Sequence, residues 1–165
     1  MDETVTIGWG DFAVAMAGAA AALAGLVMVA ISVNIREILA LPGLPARAAA
    51  AVGSLVLVVV TGGLFLVPGQ PGPVLGAEVL LAVAPAAWLH AVSLRHRTRH
   101  SATPRYSLAV YLPLAAIQLL PFVLGALLLI VTGASGGIYL VAAGVILTVI
   151  GSMLDAWVLM VEIRR

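Results

Sequence analysis

Cysteine and lysine are both absent from the 165 residues, and charged residues of all kinds make up only 9% of the chain. Without cysteine there is no disulfide framework, no thiolate metal site and no thiol nucleophile. Without lysine, all eight basic residues are arginines. The scarcity of charge excludes more. A soluble domain carries charge on about a quarter of its residues, and a chain with so few cannot cover a core with a polar surface. Enzyme signatures are missing too: there is no HExxH, no GxSxG, no Walker loop and no helix with paired carboxylate and histidine ligands.

Apolar residues fill the space. They account for 63% of the chain, and mean hydropathy is +1.20. A helix needs about 20 apolar residues to cross the hydrocarbon core. Five segments qualify: Phe12–Ile35, Ala46–Pro68, Leu75–Leu94, Leu108–Thr132 and Ile138–Val161. The expected fold is therefore all-α, one transmembrane bundle of five helices over residues 1–165 in a single domain. The acidic start "MDETVTIGWGD" lacks the positive region of a secretory signal, so the first segment reads as a retained span. The connectors "GQPGPV" and "GASGG" are short, which pairs spans two with three and four with five as hairpins.

The arginines set the orientation. Arg36 and Arg47 flank the first connector, Arg95, Arg97, Arg99 and Arg105 fill the third, and Arg164 and Arg165 close the chain. With five spans all of them fall on one side, and short cytoplasmic loops are the ones enriched in arginine. The N-terminus is then outside and the C-terminus cytoplasmic. The same rule accounts for the basic loop "RHRTRHSATPR" without nucleic acid, although its charges will meet anionic lipid headgroups at the cytoplasmic face. His96 and His100 have the i, i+4 spacing of metal ligands, but the surrounding arginines oppose a cation, and neither a metal nor a cofactor is expected.

Small residues mark where helices touch in lipid. In the first span Gly18, Ala21, Ala22, Gly25 and Ser32 recur at helical spacing. Such a helix belongs at the centre of a bundle or at a subunit interface, or else lines a pore. In the fifth span Gly144, Thr148, Gly151, Asp155 and Glu162 share one face, while Leu147, Ile150, Leu154 and Trp157 point elsewhere. Asp155 therefore faces protein. Pro85 breaks the third span, Pro113 and Pro121 the fourth.

Asp155 lies about 8 Å from the middle of its span on the cytoplasmic side, at 1.5 Å per residue. An ionised aspartate at mid-helix costs about 2.5–3.5 kcal/mol, somewhat less off-centre, so it needs a partner or a proton. Level with it are His90, Tyr111 and Asn34, with Arg95 and Arg105 able to reach inwards. Three roles stay open: a structural lock between helices, a proton-responsive pair with His90, or a contact met by another chain. Gln118, near mid-membrane between two prolines, is expected to bond a freed carbonyl or another helix. Glu78, in the first turn of its helix, sits where a carboxylate is favourable and close to water. Trp9, Trp88, Trp157 and Tyr139 are too scattered for an aromatic cage, and Trp9 and Tyr139 suit interfacial anchoring.

The run "FAVAMAGAAAALAGLVMVAISVNIREIL", followed by "LPGLPARA" and "LFLVPGQ", resembles a group of small polytopic membrane proteins of actinobacteria-like genomes, some labelled modulators of the FtsH protease. The resemblance implies a bacterial inner-membrane protein and no particular catalytic or binding residue. The leading expectation is a non-enzymatic interaction protein, an accessory or regulatory subunit that forms a homo-oligomer or joins another membrane protein. The alternative is a small homo-oligomeric channel or proton-coupled transporter using Asp155, His90 and Gln118.

Overall fold

A computed structural model describes residues 5–41, 43–100, 104–133 and 135–163. The side chains of Arg97, Arg99, His100, Arg105 and Glu162, and the whole of Arg164 and Arg165, lie outside the described residues. The chain is all-helical there: α1 Gly10–Val33, α2 Ile35–Ala40, α3 Leu44–Phe65, α4 Gly72–His100, α5 Pro104–Thr132 and α6 Gly136–Ile163. All but α2 contain a stretch long and apolar enough to cross a membrane, namely Gly10–Val33, Leu44–Phe65, Gly72–His96, Tyr111–Thr132 and Gly136–Val158. These lie within a few residues of the segments expected from hydropathy.

Two connectors differ from expectation. "REILALPGLP" is not a plain loop, because residues 35–40 form α2, whose buried Ile38 seats against Leu44 and Ala48. The basic loop is shorter than expected. α4 runs on to His100, so Arg95, Arg97 and Arg99 stand on a helical extension, and α5 begins at Pro104, one residue before Arg105. Polar residues continue a helix readily once it has left the hydrocarbon, and hydropathy is blind to that continuation.

Helix ends follow local chemistry. α3 starts where Gly43 takes a φ of 88° and Pro45 enters the first turn. Proline has no N–H to lose at that position. α5 stops where Gly133, at φ 62°, donates its N–H to the Leu129 carbonyl, a left-handed C-terminal cap that favours glycine.

α3 is the central element, packed on α1, α4 and α6, while α5 packs between α4 and α6. The core runs through Leu55, Val58, Phe65, Leu75, Val79, Phe122, Leu129, Ile138 and Val141. Glycines let the backbones close. A Cβ on Gly62 would fall 3.0 Å from the Ala13 carbonyl oxygen of α1, and one on Gly144 would strike the Phe122 ring. One close approach is reciprocal: a Cβ on Gly125 or on Gly137 would fall 2.6 Å from the other's carbonyl oxygen.

α1 is not at the centre of the bundle. It leans mainly on α3, with a smaller contact to α6, and touches α3 through Ala13, Ala17 and Ala20. Gly18, Ala21, Ala22, Gly25 and Ser32 lie on its uncovered side, and a Cβ at Gly18 or Gly25 would meet nothing within 4 Å. Alanines are so frequent in α1 that two small-residue faces exist, and helical spacing alone does not say which one α3 takes.

Gly125→Ala is expected to lower stability by about 1–3 kcal/mol, the usual cost of overpacking. Gly18→Ala should change it by less than about 0.5 kcal/mol. Equilibrium unfolding in mixed micelles measures both, and equal effects would contradict the packing described.

Candidate functional site

One end of the bundle carries the polar interior. Gly43 lies against His96 and Met160 packs on the Ile38 cluster. The starts of α3 and α5 and the ends of α4 and α6 therefore meet at the same level, with Arg36 and Arg95 at this end. Just inside it, α3, α4, α5 and α6 enclose a cavity of about 30 Å³ that includes Arg47, His90, Ser93, Tyr111, Gln118 and Asp155 in its lining.

Each helix supplies its residue for a local reason. Arg47 stands in the first turn of α3 among Ala46, Ala48, Ala50 and Ala51, and these small neighbours leave room for its stem to fold inwards. Its side chain is 6% exposed, with the guanidinium carbon 5.9 Å from the centroid of the Tyr111 ring, within cation–π range. Two turns further along α3, the Ser54 hydroxyl and His90 Nε2 form a hydrogen bond of 2.8 Å. Asp155 lines the same cavity as His90. A buried arginine and a partly buried aspartate line one compartment, and a charge in a low-dielectric interior costs less where an opposite one is near.

The inward face of α6 is built around α5. The Thr148 hydroxyl donates to the main-chain carbonyl of Gln118 at 3.1 Å. Gly151 provides the floor on which the Gln118 side chain lies, for any Cβ there would overlap its amide. Gln118 is 1% exposed, and neither Nε2 nor Oε1 has a hydrogen-bond partner among the described residues. The expected bond from this amide to a freed carbonyl or another helix is not made among the described residues. The cross-helix bond at this position uses the Gln118 backbone instead. Ile150, Leu154 and Trp157 are exposed on the far side of α6.

His90, Tyr111, Gln118 and Asp155 thus come together, but Asn34 does not join them. Its Nδ2 donates to the Ala30 carbonyl at 2.8 Å, within its own helix end, and α1 lies on the outer side of α3. Equal depth is not proximity when one helix is peripheral. Arg95 is exposed rather than turned inwards. Arg97, Arg99 and Arg105 contribute helical backbone positions only, their side chains falling outside the described residues. Among the described residues no cluster of histidine and carboxylate groups has the make-up of a metal site.

Composition and spacing do not single out Arg47, Ser54 or Ser93 as parts of this interior. For Arg47 the available signal is Pro45, which marks the helix start and places the arginine one turn inside it. The opposite end of the bundle holds a second surprise. Trp9 makes edge-to-face contacts with Phe12, Phe65 and Tyr139, at centroid distances of 5.6, 6.5 and 5.0 Å, so Trp9 and Tyr139 are clustered and not scattered. Near that end Gln70, which is buried, donates through Nε2 to the Glu78 carboxylate.

The fold and this interior define a multi-pass helical membrane protein with a polar compartment near one end. Compared with family models, curated proteins and solved structures, the chain matches none.

If Ser54 and His90 act as one unit, Ser54→Ala and His90→Ala will be non-additive. The coupling expected for such a pair is about 0.6 kcal/mol, with about 1.7 kcal/mol the upper end for interhelical bonds in membranes. A double-mutant cycle by unfolding in micelles measures it, and full additivity would mean that the bond contributes nothing.

Proposed function

We propose that the protein is a non-enzymatic accessory subunit of a bacterial inner-membrane complex, engaging a membrane partner through α1. The N-terminus is outside and the arginine-bearing end is cytoplasmic. The observation that carries this reading is the uncovered face of α1. Gly18, Ala21, Ala22, Gly25 and Ser32 are all exposed on it, and the two glycines open onto space that a neighbouring backbone can enter. Lipid tails gain little from a flat small-residue face, whereas a second helix gains close packing along its length. The positive-inside distribution and the resemblance to small actinobacterial membrane proteins support the location. Anionic headgroups lie beside the helical extension bearing Arg95, Arg97 and Arg99.

A second reading, a homo-oligomeric proton-coupled transporter, is favoured by one observation: Asp155 and His90 line the same cavity. Asp155→Asn separates its two roles. In a transporter this change abolishes flux while the bundle keeps its stability. In a structural lock it lowers the melting temperature in detergent and is non-additive with changes at His90.

Native mass spectrometry of the protein carried from its own membrane into nanodiscs tests the leading reading. The expected result is a stoichiometric complex with another membrane protein, lost in Gly25→Leu while the isolated chain remains folded. A closed homo-oligomer without a companion would transfer the weight to the transporter reading. A monomer would overturn both.

A further inference from the structure

Gln118 is the one glutamine in the transmembrane part of α5, and its burial is nearly complete at 1% exposure. Both ends of its amide, a donor and an acceptor, are without a hydrogen-bond partner among the described residues. Leaving a buried polar atom unsatisfied costs about 1–3 kcal/mol, and in hydrocarbon no solvent relieves it. The amide borders the cavity between α3, α4, α5 and α6. That cavity is polar on every helix, with Arg47 from α3, His90 and Ser93 from α4, Tyr111 from α5 and Asp155 from α6. Its volume is about 30 Å³, two to three times the roughly 10–15 Å³ that one water requires.

Towards the other end the lining changes abruptly. The next turn of α5 brings Phe122, fully buried against the backbone of Gly144. Beyond it Val79, Ala126, Leu129 and Val141 are all sealed at 0% exposure. The polar lining of this cavity ends at Gln118, and the packing around Phe122 is apolar, with buried Thr61 and Gln70 lying apart from it towards the far end.

We propose that this cavity is a hydrated vestibule: one or two water molecules, entering from the arginine-bearing end, hydrogen-bond the Gln118 amide and link it to His90 and Asp155. The ligand class is a small neutral molecule that both donates and accepts hydrogen bonds, and the cavity has room for water. Gly151 keeps the floor low enough for the amide to lie there, and Phe122 closes the compartment. Water thus reaches about 10 Å past Tyr111, seven residues at 1.5 Å each, and goes no further. The inference goes beyond both functional readings. An accessory subunit does not need the vestibule, whereas a proton-coupled transporter needs it as one half of its path.

The chain has only two glutamines, Gln70 and Gln118, which makes the test clean. Uniformly ¹⁵N-labelled protein in nanodiscs is probed by magnetisation transfer from water to the side-chain amides, with Gln118→Met identifying the signal. The expected result is strong transfer to the Gln118 amide and none to the Phe122 backbone amide. Ala115→Leu, which fills the lining from α5, is expected to abolish the transfer. A Gln118 signal that receives nothing from water would overturn the proposal and remove this cavity from any transport path, leaving the accessory-subunit reading intact. Transfer reaching Phe122 as well would overturn the closure, and transfer persisting in Ala115→Leu would place the water elsewhere.

Discussion

The meeting of two glycine backbones, Gly125 on α5 with Gly137 on α6, expresses the constraint on which the whole bundle depends. Inside a bilayer the surroundings are as apolar as the side chains, so helices gain nothing by merely hiding leucine. They gain by approaching closely enough for many weak contacts and a few hydrogen bonds to add up. Gly144 against Phe122 repeats the device further along the same pair, and Gly62 against Ala13 and Ala17 and Gly76 against Ala126 repeat it on other helix pairs. The space left between the helices is the remainder of these contacts. Where Arg47, His90, Tyr111 and Asp155 face inwards, a compartment opens between the helices.

That compartment shows how a nearly charge-free protein keeps charges inside. Arg47 and Asp155 come from helices far apart in sequence and are supported by different neighbours, the Tyr111 ring for one and the surroundings of His90 for the other. Each is costly alone in a low-dielectric medium. They line one compartment together with Ser93, Tyr111 and Gln118. The opposite end of the bundle solves its boundary differently, with aromatic edges around Trp9 and the Gln70–Glu78 pair. The two ends are thus chemically unlike: cationic and polar at one, aromatic at the other.

Much of this was legible in the amino-acid order because hydrocarbon is an unforgiving solvent. The five apolar stretches, and the placement of Gly144, Thr148, Gly151 and Asp155 on one face of α6, follow from span length and helical period alone. Depth counting also brings His90 and Tyr111 to the level of Asp155, while Gln118 counts as deeper, near mid-membrane. It failed for Asn34 because depth says nothing about lateral position, and α1 is peripheral. Choosing between two alanine-rich faces of α1 requires knowing the shape of α3, which no local pattern encodes. Arg47 was hidden for a different reason. An arginine near a helix start satisfies the positive-inside rule whether it points to water or folds inwards. The decision rests on whether Tyr111, sixty-four residues later in the numbering, arrives beside it.

The peripheral seat of α1 and the central seat of α3 have a consequence for biosynthesis. Helices enter the membrane in chain order, so α1 and α3 arrive before α4, α5 and α6 exist. Their mutual contact through Ala13, Ala17, Ala20 and Gly62 uses no later residue, and can be complete while the ribosome is still translating. Arg47, by contrast, enters long before Tyr111 and Asp155 and must spend that interval with its guanidinium stretched to the headgroups, as long basic side chains near helix ends do. The compartment it lines is therefore complete only once α5 and α6 are in place, and the last helix to insert is the one that completes the environment of the second.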